Sequence, residues 1–195
     1  MEAGDGRVAR GERTRQAVAE ALISLIEEGE PQPTARRIAE RAGVSLRIVF
    51  HHFEDLEAVL RAAVDIQRSR HWRRLGPVDP TLAMPSRITA VVRQRAGVFE
   101  AVSPVRRVAQ RVEQVSPTAA DQLARVRAAL RAQLAAAFEP ELAHRSTAAA
   151  RVVLDALEVS LSWETWDQLR RMGRSVAACR RTMETLARSV LAGPA

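Results

Sequence analysis

Residues 34–53, TARRIAERAGVSLRIVFHHF, constrain the fold more than any other stretch of this chain of 195 residues. They read as two short helices joined by a tight turn. Thr34 is a good N-cap, and Pro33 before it keeps the backbone extended. Arg36 and Arg37 fall in the first turn, and Ile38, Ala39 and Ala42 form an apolar stripe at helical spacing. Gly43 stops the helix, because a residue without Cβ takes positive φ at little cost. Val44 is the apolar plug of the turn, and Ser45 caps the next helix. Val49 and Phe53 are four apart, share a face and anchor that helix inward. Leu46, Arg47, Ile48 and His51 are then left on other faces. An exposed Leu-Arg-Ile edge is odd against water but suits a face that meets base edges. Arginine forks onto guanine, and aliphatic groups touch thymine methyls.

The same spacing also suits any αα-hairpin of a helical protein. The segment resembles the helix-turn-helix of the TetR (tetracycline repressor) family, whose pattern runs T-x-x-x-I-A-x-x-A-G-V-S-x-x-x-L/V-Y-x-H-F-x-x-K-x-x-L. The chain meets it at Thr34, Ile38, Ala39, Ala42, Gly43, Val44, Ser45, Val49, His52, Phe53, Val59 and Leu60. Two positions depart from it. Phe50 stands where the pattern has a tyrosine, and Leu56 where it has a lysine, both of which usually meet DNA phosphates. Such contacts set register and much of the affinity. Arg7, Arg10, Arg13 and Arg15 are candidates to compensate from the N-terminal arm, if that arm is not simply a solvated tail.

The resemblance implies an all-α protein. An N-terminal three-helix DNA-binding head, residues 10–70, would precede a helical ligand-binding and dimerisation body, residues 71–195. The residues expected at double-stranded DNA are Thr34, Arg36, Ser45, Leu46, Arg47, Ile48, Phe50, His51 and His52. Arg47 is the first choice for base reading, with Leu46, Ile48 and His51 beside it. Arg36 is expected at an edge or the backbone, and Thr34 and His52 at phosphates. A homodimer would set two such helices in successive major grooves of a near-palindromic operator, roughly 34–36 Å apart. The implied function is transcriptional regulation, most often repression released by a small-molecule effector. The alternative is a ligand-binding or protein-interaction dimer of the same fold with weakened DNA binding.

Charge supports DNA binding less than its total suggests. The net is +7, yet residues 1–60 carry 8 Arg against 11 acidic residues, and the excess lies beyond residue 60. Residues 31–53 are locally basic, with four Arg against Glu40. Cys179 is the only cysteine, so a disulfide framework or zinc cluster is not expected, and a reducing cytoplasm is the simplest setting. The start of the chain, MEAGDGRVARGE, lacks the apolar core of a signal peptide. No run of about 18 apolar residues suggests a membrane span.

The rest reads as helices, with no sustained period-two alternation. Residues 13–28 are amphipathic, and 30–33 form a loop. Asp55 caps a helix running to about residue 74, where Leu75-Gly76-Pro77 breaks it, and Pro77, Pro80 and Pro85 mark a boundary. A helix over 86–102 follows. Ser103-Pro104 and Ser116-Pro117 each look like a capping Ser with Pro at the first helical position. The second starts a helix that Pro140 ends. One helix is expected over 147–169 and another over 175–191.

The helix from 147 is apolar over most of its circumference and needs covering on more than one side. The last helix repeats apolar residues at three-four spacing. Together they suggest a dimer interface through Val152, Val153, Leu157, Val176, Met183, Leu186 and Val190; a helix central to its own domain is the other reading. For a ligand site the candidates are Arg95, which interrupts an apolar stripe, with Phe99, Trp163 and Trp166. Arg95 would serve as an anion receptor, or else reach water or a core acid. His51, His52, His71, His144 and Cys179 show no metal-ligand or nucleophile spacing. No metal, cofactor or enzymatic activity is expected.

Overall fold

The computed structural model of the chain describes residues 2–114 and 116–193, with side chains from residue 8 onward. Every regular element among the described residues is helical. The chain divides into two compact units. One holds the residues up to Arg70 together with Val102–Ala120; the other holds His71–Ala101 and the residues from Asp121 onward.

The first unit is built on α1 (Glu2–Glu27), α2 (Ala35–Ala42), α3 (Leu46–His52) and α4 (Leu56–His71). α1 begins well before residue 13, so the segment read as an arm is helical. α1 packs on both α2 and α3. Val18, Leu22, Leu25 and Ile26 from α1 meet Ile38 and Ala39 of α2, Val49 of α3, Phe53, and Val59, Leu60 and Ala63 of α4. Val105 and Ala109 complete this core. α4 starts where Asp55 Oδ1 accepts from the Ala58 amide at 2.7 Å, and a 3-10 turn, Trp72–Arg74, follows it.

Val105 and Ala109 belong to α5 (Met84–Glu113), which corrects the reading of Ser103-Pro104 as a helix start. Pro104 sits inside a continuous helix. An interior proline removes one backbone bond and crowds the preceding turn, at a cost of about 3 kcal/mol. Here Val98 and Phe99 before it and Val105 and Ala109 after it are all buried. Burying side chains on both sides outweighs that penalty.

The second unit takes the start of α5, most of α6 (Pro117–Ala137), α7 (Glu139–Ala143), α8 (Thr147–Ser160), α9 (Trp163–Arg171) and α10 (Val176–Leu191). The single helix expected over 147–169 is two. Ser162 Oγ accepts from the Thr165 amide at 3.1 Å and starts α9 afresh. The Thr165 hydroxyl donates back to the Val159 carbonyl at 2.7 Å. Serine and threonine that bond the backbone locally compete with helix continuation. α6 stops at Ala137, shortly before Pro140, which itself lies in the first turn of α7, where its missing N–H is no loss. α10 packs on α8 and α9.

One buried ion pair ties this unit together. Arg87 donates to the Leu82 and Ala137 carbonyls, both at 2.8 Å, and to the Glu141 carboxylate, over the face of Phe138. A guanidinium out of water is tolerated only when its donors are all met.

Candidate nucleic-acid interface

The turn between α2 and α3 is fixed by backbone geometry at both ends. Thr34 is extended (φ −72°, ψ 158°), and its Oγ1 accepts from the Arg37 amide at 3.2 Å. At the far end Gly43 takes φ 68°, ψ 31°. Its N–H donates to Glu40 O at 3.2 Å, and the Val44 N–H to Ala39 O at 3.0 Å. This pair of bonds is a Schellman closure, which satisfies carbonyls the helix end leaves open. It turns Val44 onto the head core. Ser45 then caps α3, its Oγ accepting from the Ile48 amide at 3.3 Å. Three residues thus separate the helices, each held by a cap.

The face α3 turns outward follows from its two anchors. Val49 and Phe53 are buried. At about 100° per residue, Arg47 and His51 lie opposite them. Leu46 and Phe50 flank this ridge on one side and Ile48 on the other. All three flanking residues are exposed, by 38% at Leu46 and Ile48 and 50% at Phe50.

The positive charge of the segment is unevenly committed. Arg41 grips the Glu28 carboxylate with both terminal nitrogens at 2.6 Å, and that contact holds the Glu28 carboxyl below its usual range. Arg37 pairs with Glu30 at 3.4 Å and Glu40 at 3.8 Å. Arg36 and Arg47 are exposed and make no ion pair or hydrogen bond among the described residues. They are the cations of the segment left open to an outside partner.

Arg15 has a role the sequence did not reveal. Its Nη1 donates to the carbonyl of His52, the last residue of α3, and its guanidinium lies 4.5 Å above the Phe53 ring. It straps the end of α3 to α1 instead of reaching outward, so it does not replace the donors missing at Phe50 and Leu56. Arg10 and Arg13 are exposed on α1 without a side-chain partner among the described residues, while the Arg7 side chain lies outside the described residues. The His51 and His52 rings meet edge to face at 5.1 Å. Thr34 and Ser45 are exposed, and their caps use only the oxygen as acceptor, so each hydroxyl proton is free to donate outward.

The residues read as a ligand site lie in the interior of the second unit. Arg95 is buried, but its donors are already engaged by Leu161 O at 2.8 Å, Leu130 O at 2.6 Å and Gln133 Oε1 at 3.4 Å. These bonds use four of its five N–H donors, and backbone carbonyls and an amide oxygen, not a core carboxylate, take them up. Burial lowers its pKa to about 10, with Glu158 acting weakly in the other direction. Phe99 and Trp166 are buried with ring centroids 6.5 Å apart, and Trp163 is buried as the first residue of α9. The Trp166 indole Nε1 is enclosed and has no acceptor among the described residues.

The residues read as an interface separate into two sets. Val153, Leu157 and Met183 turn inward and are covered by their own unit. Val152, Val176 and Leu186 are exposed and Val190 half-buried. Periodicity marks an apolar face without telling which chain covers it. Val159, seven residues beyond Val152, joins the exposed set at 68%. No group of three or more His, Cys, Asp or Glu suited to a metal lies among the described residues. No described helix is long and apolar enough to cross a membrane.

No protein-family model matches the chain, and no curated protein matches it in sequence. Solved structures do. A transcriptional regulator from Rhodococcus sp. Rha1 superposes with a TM-score of 0.68 at 18% identity, covering 91% of this chain and 95% of that one. A TetR-family transcriptional regulator from Streptomyces coelicolor gives 0.68 at 17% identity, over 93% of this chain and 89% of that one. A Rhodococcus sp. protein assigned to the same family gives 0.71 at 18% identity, over 93% and 100%. The chain has the fold of TetR-family transcriptional regulators.

Proposed function

We propose that this chain is a DNA-binding transcriptional regulator, acting as a homodimer and repressing until a small molecule releases it. The observation that carries the reading is α3: a short helix capped at its start, strapped at its end, and turning an unpaired Arg47 outward. Arg47 reads base edges, with Leu46, Ile48 and His51 beside it. Arg36, Thr34, Ser45 and His52 position the backbone. Metals and catalytic groups have no part in this reading.

The outward Val152, Ala156 and Val159 of α8, with Leu186 and Val190 of α10, are the surface assigned to the second copy. Apolar residues at i, i+4 and i+7 on a helix that already packs inward favour a further helix pair. The effector site is assigned to the interior around Phe99, Trp163 and Trp166. A buried indole N–H without an acceptor costs about 1–3 kcal/mol, so a ligand presenting a carbonyl or carboxylate oxygen there would recover it. Arg95, held by the Leu161 and Leu130 carbonyls, borders the site. An effector releases DNA only if it binds the released state better than the bound one. Such a dimer works in the cytoplasm, where its operator is.

A second reading has a specific observation behind it. Phe50 and Leu56 are exposed apolar side chains where phosphate donors would serve, and Arg15 is turned inward. A dimer of this fold that binds a ligand or protein but holds DNA poorly would look the same. Binding of the full chain to duplex DNA against salt concentration separates the two. A regulator gives a steep negative slope of log affinity on log salt, because bound cations release counterions. A near-flat slope overturns the DNA reading.

A further inference from the structure

Three of the seven residues of α3 are large exposed apolar side chains, an unusual density for a helix that otherwise packs on a head core. Leu46 and Ile48 are both 38% exposed and sit on either side of Arg47. Phe50 extends the Leu46 side by one turn. Single exposed apolar residues need no explanation; a cluster around an unpaired cation does. The occupant that fits is negatively charged, since Arg47 stands without a partner between Leu46 and Ile48 and Arg36 without one on the preceding helix, and it is apolar on both sides of the Arg47 contact. Duplex DNA meets both conditions in the major groove, where thymine alone presents a methyl group.

Resting on the DNA-binding reading above, we infer that α3 reads a thymine 5-methyl group with Leu46 and a second with Ile48, on either side of the base pair contacted by Arg47. Specificity is then carried largely by methyl groups. The guanidinium of Arg47 takes the acceptor edge of a guanine. Leu46 and Ile48 donate and accept nothing, so they cannot tell bases apart by hydrogen bonding. They distinguish thymine from cytosine through the methyl group and through the desolvation cost of the cytosine amino group. The missing phosphate donors at Phe50 and Leu56 fit this division, because they shift dependence from backbone grip to base contact.

The test uses the full chain and a duplex selected from random DNA by that chain. Each thymine of a half-site is replaced in turn by uracil, which keeps every hydrogen bond and lacks only the methyl. Two positions should lose affinity about fourfold each, the effect of burying one methyl-sized group. Placing 5-methylcytosine, paired with guanine, at those positions should bind more tightly than cytosine. Leu46→Ala should make thymine and uracil equivalent at one of the two positions, and Ile48→Ala at the other, with uracil sensitivity elsewhere unchanged. A selected site indifferent to uracil overturns the inference and leaves DNA binding standing. So does methyl sensitivity that neither substitution alters. Failure to select any sequence, with α3 instead mediating self-association that Phe50→Ser relieves, overturns both this inference and the regulator reading.

Discussion

At the scale of single residues, Gly43 and Arg15 decide whether α3 is held where it can act. Gly43 has φ 68°, and a Cβ built there meets nothing within 4 Å. The cost of Gly43→Ala is therefore purely that of the left-handed backbone, about 1–2 kcal/mol. Urea unfolding should show that loss, and a smaller one for Gly43→Asn, which tolerates this region better. Arg15 joins the His52 carbonyl to the Phe53 ring. Arg15→Gln should lower stability by about 1.5–3 kcal/mol, the range for a hydrogen bond from a charged group. It should also weaken DNA binding at temperatures where the protein stays folded, which a purely stabilising residue would not. Arg95→Met leaves the Leu161 and Leu130 carbonyls and Gln133 without their donor, and a loss of about 1–3 kcal/mol is expected on unfolding. The pH dependence has a definite sign. Burial lowers the folded pKa of Arg95 to about 10. Below that pH both states are protonated and the group adds no pH dependence. Above it the unfolded chain binds more protons, so this group makes stability rise with pH. The gap between wild type and Arg95→Met should stay constant below about pH 10 and widen above it.

At the scale of elements, α8 and α10 present the face assigned to a second copy. Val152 and Val159 are exposed by 67% and 68% and share the outward side of α8. Val152→Glu together with Val159→Glu places charges where a dimer would bury them, and sedimentation should report a monomer in place of a dimer. Unchanged sedimentation would move the interface elsewhere. The helices were legible in the sequence where caps and periodicity agreed. Thr34, Ser45, Asp55, Ser116 and Ser175 each accept the bond a cap makes. Cap chemistry misled at Ser103-Pro104, because packing on both sides of Pro104 carried α5 through it. Periodicity misled at Ser162, where one helix expected over 147–169 hid a new helix start. Which apolar side chains face inward was not legible on α8 and α10. Leu157 and Val152 look alike in a pattern, and only the positions of neighbouring helices separate them. Arg15 was hidden for a related reason, since its partners His52 and Phe53 are distant in sequence.

At the scale of the whole molecule, the fold likeness and the local chemistry answer different questions. The fold likeness covers over nine-tenths of the chain at under a fifth identity, so it speaks for architecture. The α2–α3 segment supplies what architecture cannot, an outward cation on a rigidly capped helix. A net charge of +7 is not the source of the claim, since residues 1–60 hold more acidic residues than arginines. The central claim is that a dimer of this chain reads a defined operator through Arg47. Selection of binding sites from random duplex DNA by the full chain, repeated with Arg47→Ala, tests it most directly. The expected result is an inverted repeat whose half-site centres are about one helical turn apart, or a multiple of it, with one guanine position per half-site losing its preference in the variant. No enriched sequence, or an identical enriched sequence from both proteins, would contradict it.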